Sequence, residues 1–159
     1  MRVGFGYDLH RLIGGRKLLL GGCTIPSQFG EAGHSDGDVL IHALIDAMLG
    51  AAAMDDIGRH FPPSDPAYRD ISSMVLLEKT LAMIEKSGYS VVNVDCTVVL
   101  ESPRIAPFIE KIRENLAGAI GTCSTSISVK GKTKEGVDAA GEGRAIEAYA
   151  VVLLEKNEK

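Results

Sequence analysis

Three side chains of types that bind divalent metal ions stand in the first third of the chain: Asp8, His10 and His42. Asp8 and His10 lie in Arg2 to His10, whose apolar alternation predicts a strand. Side chains two apart on a strand point to one face, so the carboxylate and the imidazole project together. His42 lies on a predicted helix. Three ligands with one position left open are typical of a catalytic zinc site rather than a structural one.

The residues alone leave a second interpretation of this trio open. An Asp-x-His pair on a strand is more often a surface pair, and a helical histidine is more often packed or solvated than bound to metal. Asp38 and Asp46 lie one helical turn on either side of His42. We expect their carboxylates to orient its ring, as outer carboxylates often do around metal-binding histidines.

Two other segments carry groups that suit a phosphorylated ligand. The turn at 33–38 leads into the predicted helix, whose first N–H groups are free to bind an anion. Lys132 to Glu135 offers two ammonium groups, a hydroxyl and a carboxylate, which suit phosphate and a hard cation. A capping turn without ligand and a solvated charged turn are the alternatives. Asp55 to Asp70 contains three prolines and predicts a loop, either a lid or a connector.

The elements that position these groups follow from periodicity and from helix-breaking residues. Strands are predicted over Arg2 to His10, Lys17 to Leu20, Val91 to Leu100, Ser126 to Lys130 and Ala145 to Leu154, and the pattern of the last segment also fits a helix. Helices are predicted over Val39 to Ala53, Ser72 to Lys86 and Pro103 to Leu116. The first two strands are expected to form a hairpin. This order indicates an α+β fold: one domain, residues 1–159, with a mixed β-sheet and helices packed on one face.

Composition limits the classes of function. A chain of 159 residues can bury one core but hardly two. The net charge of −4 gives no reason to expect nucleic acid. Cys23, Cys96 and Cys123 are odd in number and widely spaced, so neither a disulfide framework nor a cysteine-rich zinc site is expected. No signal peptide or membrane span is visible, so we expect a cytoplasmic protein with no membrane partner.

Together these segments resemble the 2-C-methyl-D-erythritol 2,4-cyclodiphosphate synthase family. The combination of Gly-x-Asp-x-His ending at His10 with His-Ser-Asp-Gly-Asp ending at Asp38, and His42 four residues further on, is highly specific. Other matching pieces follow in family order over nearly the whole chain: Gly21-Gly22, Ile25-Pro26, Leu49 to Ala52, Asp56 to Gly58, Phe61-Pro62, Asn93 to Asp95, Pro103-Arg104 and Gly141 to Gly143.

The resemblance implies a homotrimeric lyase of non-mevalonate isoprenoid biosynthesis, with active sites between subunits. Its substrate is 4-diphosphocytidyl-2-C-methyl-D-erythritol 2-phosphate, whose 2-phosphate attacks the β-phosphorus to give the 2,4-cyclodiphosphate and CMP. By the same resemblance, Asp8, His10 and His42 hold zinc or another divalent transition metal. Glu135 holds Mg²⁺ or Mn²⁺.

The resemblance also implies roles for substrate-contacting residues. His34 and Thr133 are catalytic and stabilise the transition state, and Leu100 to Ala106 of a neighbouring subunit form the cytosine pocket. The implied substrate-binding set is Asp8, Leu9, His10, His34, Ser35, Asp56, Ile57, Gly58, Phe61, Pro62, Pro63, Ser64, Asp65, Leu100, Glu101, Ser102, Pro103, Arg104, Ile105, Ala106, Lys132, Thr133, Lys134 and Glu135.

The chain departs from the family pattern at several points. Pro63 stands where the family often has Asp, Lys132 where it often has Thr, and Arg104 where it often has Lys. The loop after Glu135 is shorter and has no clear counterpart of the family's arginine at the trimer axis. Two alternatives from other classes are kept: a metal-dependent phosphohydrolase that uses metal-activated water, and a non-catalytic trimer that binds nucleotide or isoprenoid diphosphate.

Overall fold

A five-stranded mixed sheet organises the chain in this computed structural model, which describes residues 1–157. The strands are β1 (Arg2–Gly14), β2 (Leu18–Leu20), β3 (Cys23–Ile25), β4 (Phe29–Glu31), β5 (Tyr89–Val99), β6 (Ile127–Lys132) and β7 (Ala145–Lys156). The helices are α1 (Val39–Ala52), α2 (Ile57–His60), α3 (Ser73–Lys86), α4 (Ile109–Ile120) and α5 (Asp138–Gly141). Within residues 1–157 the sheet order is β4-β1-β7-β5-β6, in which only the β5–β6 pair is parallel. β2 and β3 form a separate antiparallel pair.

Two glycines let α1 lie directly against β1. A Cβ atom added to Gly4 would lie 1.9 Å from the carbonyl oxygen of Ala47, and one added to Gly6 would lie 1.9 Å from that of Ala43. Since only glycine lacks this atom, the helix and strand backbones can touch here. The same side of β1 carries Asp8, two residues beyond Gly6. The close approach therefore brings that aspartate to the first turns of α1.

The core lies between the sheet and its helices. Alternate residues of β7 from Ile146 to Leu154 are fully buried, and ten of the 14 residues of α1 are buried. α3 packs beside α1 and against β5, and α4 packs beside α3 and against β6. The opposite side of the sheet, here named the open face, carries exposed large apolar side chains: Val3, Phe5, Tyr7 and Leu9 of β1 with Val151 of β7.

The predicted α+β class, with a mixed sheet and helices on one face, is confirmed. The predicted hairpin between the first two strands is wrong, because β4 and β7 occupy both edges of β1 and β2 pairs with β3. The third long helix begins at Ile109 rather than Pro103. A helix that began at Pro103 would need a hydrogen bond from the N–H of residue 107 to the carbonyl of residue 103, and Pro107 has no N–H. Residues 106–108 form a 3₁₀ turn, and the α-helix starts after it.

Several short helices and a short strand of the structure were not predicted from the sequence. The proline-rich segment predicted to be a loop contains α2 and a 3₁₀ turn at Pro66–Tyr68. β4 and α5 were also missed, since three or four residues carry too little periodicity to be recognised. Among residues 1–157, no helix is long and apolar enough to cross a membrane.

Candidate active site

Asp8, His10 and His42 meet on the helix-covered side of the sheet. The Oδ2 atom of Asp8 lies 3.0 Å from His10 Nε2 and 3.1 Å from His42 Nδ1. One ligand atom from each residue lies within 4.8 Å of the other two. The structure thus brings together the three residues that the sequence proposed as metal ligands.

The protein holds the second nitrogen of each histidine ring. His10 Nδ1 lies 2.7 Å from the carbonyl oxygen of Gly37, which can only accept, so Nδ1 carries the proton. His42 Nε2 lies 3.0 Å from Ser73 Oγ, and that hydroxyl in turn donates to Asp36. His42 Nε2 is therefore assigned as the donor. These partners orient both rings so that the remaining nitrogens face Asp8.

The electrostatics of the centre favour a cation. Burial by itself raises the pKa of Asp8, but the hydrogen bonds with His10 and His42 together hold that pKa below its usual range. Burial by itself lowers the pKa of His10, but the hydrogen bond and charge of Asp8 raise that pKa above its ordinary value. Asp8 is thus ionised at neutral pH and stabilises a positive charge beside it. A divalent ion that binds here competes with the proton on the Nε2 atom of His10, the nitrogen that faces Asp8.

The donor set fits a divalent transition metal. One carboxylate and two imidazoles suit zinc and similar ions. Tetrahedral ligands about 2.1 Å from an ion lie roughly 3.4 Å apart, close to the 3.0 and 3.1 Å separations observed around Asp8 Oδ2. Three protein ligands leave a coordination position for a substrate oxygen.

The predicted role of Asp38 and Asp46 in orienting His42 is wrong. Asp38 caps α1, and its carboxylate accepts from the N–H groups of Ile41 at 3.1 Å and Gly22 at 2.8 Å. Asp46 accepts from the N–H of Ile57 at 2.8 Å. Both carboxylates satisfy backbone donors that would otherwise lack partners near a helix start. The ring of His42 is held instead by Ser73, which the sequence analysis did not single out.

A cavity of about 440 Å³ opens beside the three candidate ligands. Its lining includes these residues of the predicted site: Leu9, His34, Ser35, Ile57, Gly58, Phe61 and Pro63. Tyr68 and Leu76 also line it and were not predicted. The rings of Tyr68 and Phe61 meet edge to face at 5.4 Å, which gives the cavity an apolar wall.

The other predicted residues of this region lie around the cavity. Asp56 caps α2 by accepting from the N–H of Arg59 at 3.0 Å. The Pro62 carbonyl accepts from the N–H of Asp65 at 3.0 Å. Ser64 and Asp65 line an adjoining cavity of about 530 Å³, which shares His34 and Pro63 with the first.

A separate cavity of about 450 Å³ lies at the β6 edge of the sheet and contains other predicted site residues. The cavity beside the three candidate ligands is the first site cavity, and this one is named the second site cavity. Its predicted lining residues are Leu100, Arg104, Ile105, Ala106, Lys132, Thr133 and Glu135. Val98, Ile109 and Gly131 line it too and were missed. The Thr133 hydroxyl donates to the Glu135 carboxylate, so both present oxygen atoms at one end of this cavity.

Lys134 and Glu101 hold the loop that presents Thr133. The ammonium group of Lys134 lies 2.7 Å from Asp138 Oδ2 and 2.6 Å from Glu147 Oε1. The backbone N–H of Lys134 donates to Glu101 Oε2 at 3.2 Å. Ser102 and Pro103 line a further cavity together with Leu12 and Phe29. Direct contacts of these four predicted residues with substrate stay predictions.

The two site cavities are well separated in a single chain and share no lining residue. Across the sheet, Leu9, Glu147, Val99 and Lys132 are successive register partners. Three strand spacings of about 4.8 Å place Lys132 roughly 14 Å from Leu9. One chain therefore does not bring the loop of Thr133 and Glu135 to the candidate metal ligands.

Fold and site together define an α+β protein with a cluster of three candidate ligands for a divalent metal. A family model with the description "YgbB family" matches residues 1–155. The 2-C-methyl-D-erythritol 2,4-cyclodiphosphate synthase of Moorella thermoacetica is 53% identical over 154 residues, which cover 97% of this chain and 94% of the relative. That of Gloeobacter violaceus is 53% identical over 156 residues, covering 98% and 96%.

A solved structure indicates the same family. That structure, of a 2C-methyl-D-erythritol-2,4-cyclodiphosphate synthase in a form with CDP bound, matches with a TM-score of 0.90 and 37% identity. The match covers 97% of this chain and 100% of the other. The chain belongs to the YgbB family, and the resemblance inferred from its motifs is confirmed.

Proposed function

We propose that the protein converts 4-diphosphocytidyl-2-C-methyl-D-erythritol 2-phosphate to 2-C-methyl-D-erythritol 2,4-cyclodiphosphate and CMP. The observation that carries this proposal is the cluster of Asp8, His10 and His42 beside a cavity, in a chain 53% identical over nearly its full length to synthases that bear this product in their name. The enzyme is then a phosphorus–oxygen lyase of isoprenoid biosynthesis.

The reaction moves one phosphate against another within one molecule. An oxygen of the 2-phosphate bonds to the β-phosphorus, and the bond from that phosphorus to the bridging oxygen breaks, so that CMP leaves with the electron pair. Water takes no part. Two anionic groups must be brought into line, so charge neutralisation and alignment are the main tasks of the protein.

The candidate ligands divide between two cations. Asp8, His10 and His42 would hold zinc, and Glu135 would hold Mg²⁺ or Mn²⁺. Such ions supply Lewis-acid polarisation of the diphosphate and neutralise its charge. The orientation of both histidine rings supports the first assignment. The oxygen atoms that Glu135 and Thr133 present in the second site cavity support the second.

The protein's own side chains bind and orient the substrate. His34 and Ser35 lie beside the metal ligands, where an imidazole and a hydroxyl meet the reacting phosphates. The segment at 56–58 and Phe61 close the same cavity around the methylerythritol group. Leu100, Ile105 and Ala106 offer an apolar slot for the cytosine base. The Arg104 guanidinium and the Lys132 ammonium line the same cavity and would bind the diphosphate of the substrate.

We further propose a homotrimer in which each active site is shared between subunits. The open face exposes Val3 at 69% and Phe5 at 63% of their surface, next to Tyr7, Leu9 and Val151. Contiguous apolar patches of this kind mark protein interfaces. Each of the two site cavities holds only part of the residues expected to act together, which supports completion by a neighbour. A cytoplasmic location belongs to this proposal, and the free thiols of Cys23, Cys96 and Cys123 suit a reducing compartment.

Phosphorus NMR of the metal-replete protein with the proposed substrate and Mg²⁺ tests the function. A cyclic diphosphate that forms in equal amount with CMP is the expected result. CMP with linear phosphates would instead identify a phosphohydrolase. Tight binding of substrate without any product would identify a binding module.

A further inference from the structure

Three successive peptide units around His34 are each held by a hydrogen bond from outside the loop. The carbonyl oxygen of His34 accepts from the N–H of Asp70 at 2.7 Å, and the N–H of Asp36 donates to the carbonyl of Ile71 at 3.0 Å. These two bonds tie one side of the loop to the segment that precedes α3. The carbonyl oxygens of the residues on either side of His34 have a different partner.

Arg16 binds both of those flanking carbonyls. From the turn after β1, its Nη1 donates to the carbonyl oxygen of Gly33 at 3.2 Å and its Nη2 to that of Ser35 at 2.9 Å. The planar fork of a guanidinium spans two acceptors at fixed separation, which an ammonium group cannot do. Arg16 thus fixes the carbonyl groups of the residues before and after His34.

This clamp acts on two groups of the proposed site. His34 is exposed and lines both adjoining cavities, so the direction of its side chain depends on the backbone that carries it. The hydroxyl of Ser35 lies 3.1 Å from His42 Nε2 and accepts from the N–H of Gly37 at 3.1 Å. A shift of the loop would displace the imidazole of His34 and loosen a contact of a metal ligand.

We propose that Arg16 is a positioning residue for the cyclisation, which holds His34 and Ser35 against the reacting phosphates through their backbone. The inference rests on the proposed function. Arg16 lines the adjoining cavity beside His34 and touches neither the candidate metal ligands nor the second site cavity, and the motifs of the sequence did not single it out.

Three variants test this role: Arg16→Ala, Arg16→Lys and, as a matched control, Lys17→Ala. The control removes the same charge one residue further on, from an exposed side chain. For Arg16→Ala we expect kcat to fall about ten- to a hundredfold, because small misplacements of catalytic groups cost that much. KM, metal content and thermal midpoint should stay close to those of the wild type. Arg16→Lys should resemble Arg16→Ala, since it keeps the charge but loses the fork.

Chemical rescue separates positioning from general stability. Guanidinium at a low, non-denaturing concentration should raise kcat of Arg16→Ala, whereas sodium chloride at equal ionic strength should not. Wild-type kcat in Arg16→Ala would overturn the inference, as would a raised KM at unchanged kcat, which would make Arg16 a direct substrate ligand. Should Arg16→Ala fail to fold, Arg16→Lys decides: a lowered kcat supports the inference and a wild-type kcat overturns it.

Failure of the proposed function is recognised separately. If the metal-replete wild-type protein forms no cyclic product, the proposed function fails and this inference falls with it. If the wild type forms that product and both Arg16 variants match its kcat, only the inference fails.

Discussion

At the scale of single residues, His42 is the ligand whose removal tests the metal centre most directly. His42→Ala deletes one of the three candidate ligands and should lower metal content to a small fraction of the wild-type value. Activity should fall by more than about a hundredfold, since loss of outer partners alone costs ten- to a hundredfold. Metal per chain by mass spectrometry and product formation by phosphorus NMR measure both effects.

A second histidine provides the control for that variant. His60 is half-buried, and its Nε2 contacts the carbonyl oxygen of Met54 at 2.7 Å rather than a candidate ligand. His60→Ala should keep its metal. Full metal content and normal turnover in His42→Ala would remove the zinc assignment.

Residue types and spacing predicted which candidate ligands come together, but not the side chains that orient them. Asp8 and His10 share a strand face, and His42 follows a recognisable helix start, so local pattern and family motif sufficed. Ser73 could not be found in this way, because it lies 31 residues from His42 along the chain. Only the packing of α3 against α1 brings its hydroxyl to the ring.

At the scale of elements, the close contact of α1 with β1 sets the geometry of the centre. Gly6→Ala would place a methyl group 1.9 Å from the carbonyl oxygen of Ala43 and force the helix away. We expect a loss of about 3 kcal/mol in unfolding free energy, on the order of 10 °C in thermal midpoint for a chain of this size. Metal content should fall as well, since His42 moves with the helix.

Gly14→Ala is the control for this change. Gly14 lies on the same strand, and a Cβ atom there would meet nothing within 4 Å. Its thermal midpoint and metal content should match the wild type. Equal effects of the two substitutions would show that loss of glycine on β1, rather than the helix contact, governs the result.

The start of α1 also predicts a pH dependence of stability. Asp38 is fully buried at the N-cap, and burial raises its pKa from 3.8 to about 6. Burial likewise raises the pKa of Glu31, which accepts from the first N–H of α1 at 3.1 Å. A raised pKa means that folding favours the protonated acid. This contribution is therefore complete below about pH 4 and is lost as pH rises through about 6.

Asp38→Asn should flatten that dependence. The contribution of Asp38 is on the order of 3 kcal/mol, from about 1.4 kcal/mol per pKa unit. Thermal midpoints of the metal-free protein from pH 4 to 7, at one protein concentration, measure it. Asn keeps one acceptor oxygen at the cap, so the variant should fold. Identical pH profiles for the two proteins would contradict the assignment of this buried titration to Asp38.

Element prediction succeeded where periodicity is long and failed where pairing is decided by tertiary structure. α1 and β7 were found nearly to their ends, since each has many residues on one buried face. The partner of β2 was mispredicted, because β1 can accept only two neighbours and nothing local shows that β4 and β7 take both places. The late start of α4 was foreseeable from Pro107, and the short β4 was not.

At the scale of the whole molecule, the open face is the surface on which the proposed trimer depends. Phe5→Lys places a charge in the middle of that face and should convert a trimeric mass to a monomeric one in light scattering. Activity should be lost while metal stays at the intact centre. Val75→Lys adds the same charge to an exposed apolar position on α3 and should leave mass and activity unchanged. A trimeric mass for Phe5→Lys would place the interface elsewhere.

Sharing of each site between subunits can be tested by mixing two inactive proteins. His42→Ala lacks the metal half of the site, and Glu135→Ala lacks the half at the second cavity. In a ring of three chains, each site pairs one half from one subunit with the other half from its neighbour. A trimer that contains both variants then pairs two intact halves in about one of its three sites.

Co-expression of the two variants with different tags, followed by purification on both tags, yields only mixed trimers. We expect these to recover a substantial part of wild-type turnover, although each homotrimer is inactive. Recovery requires that the intact Asp8–His10–His42 centre of one chain work with the intact Glu135 loop of another. If both halves of a site came from the same chain, each chain in the mixture would still carry one defect, and mixed trimers would be as inactive as their parents.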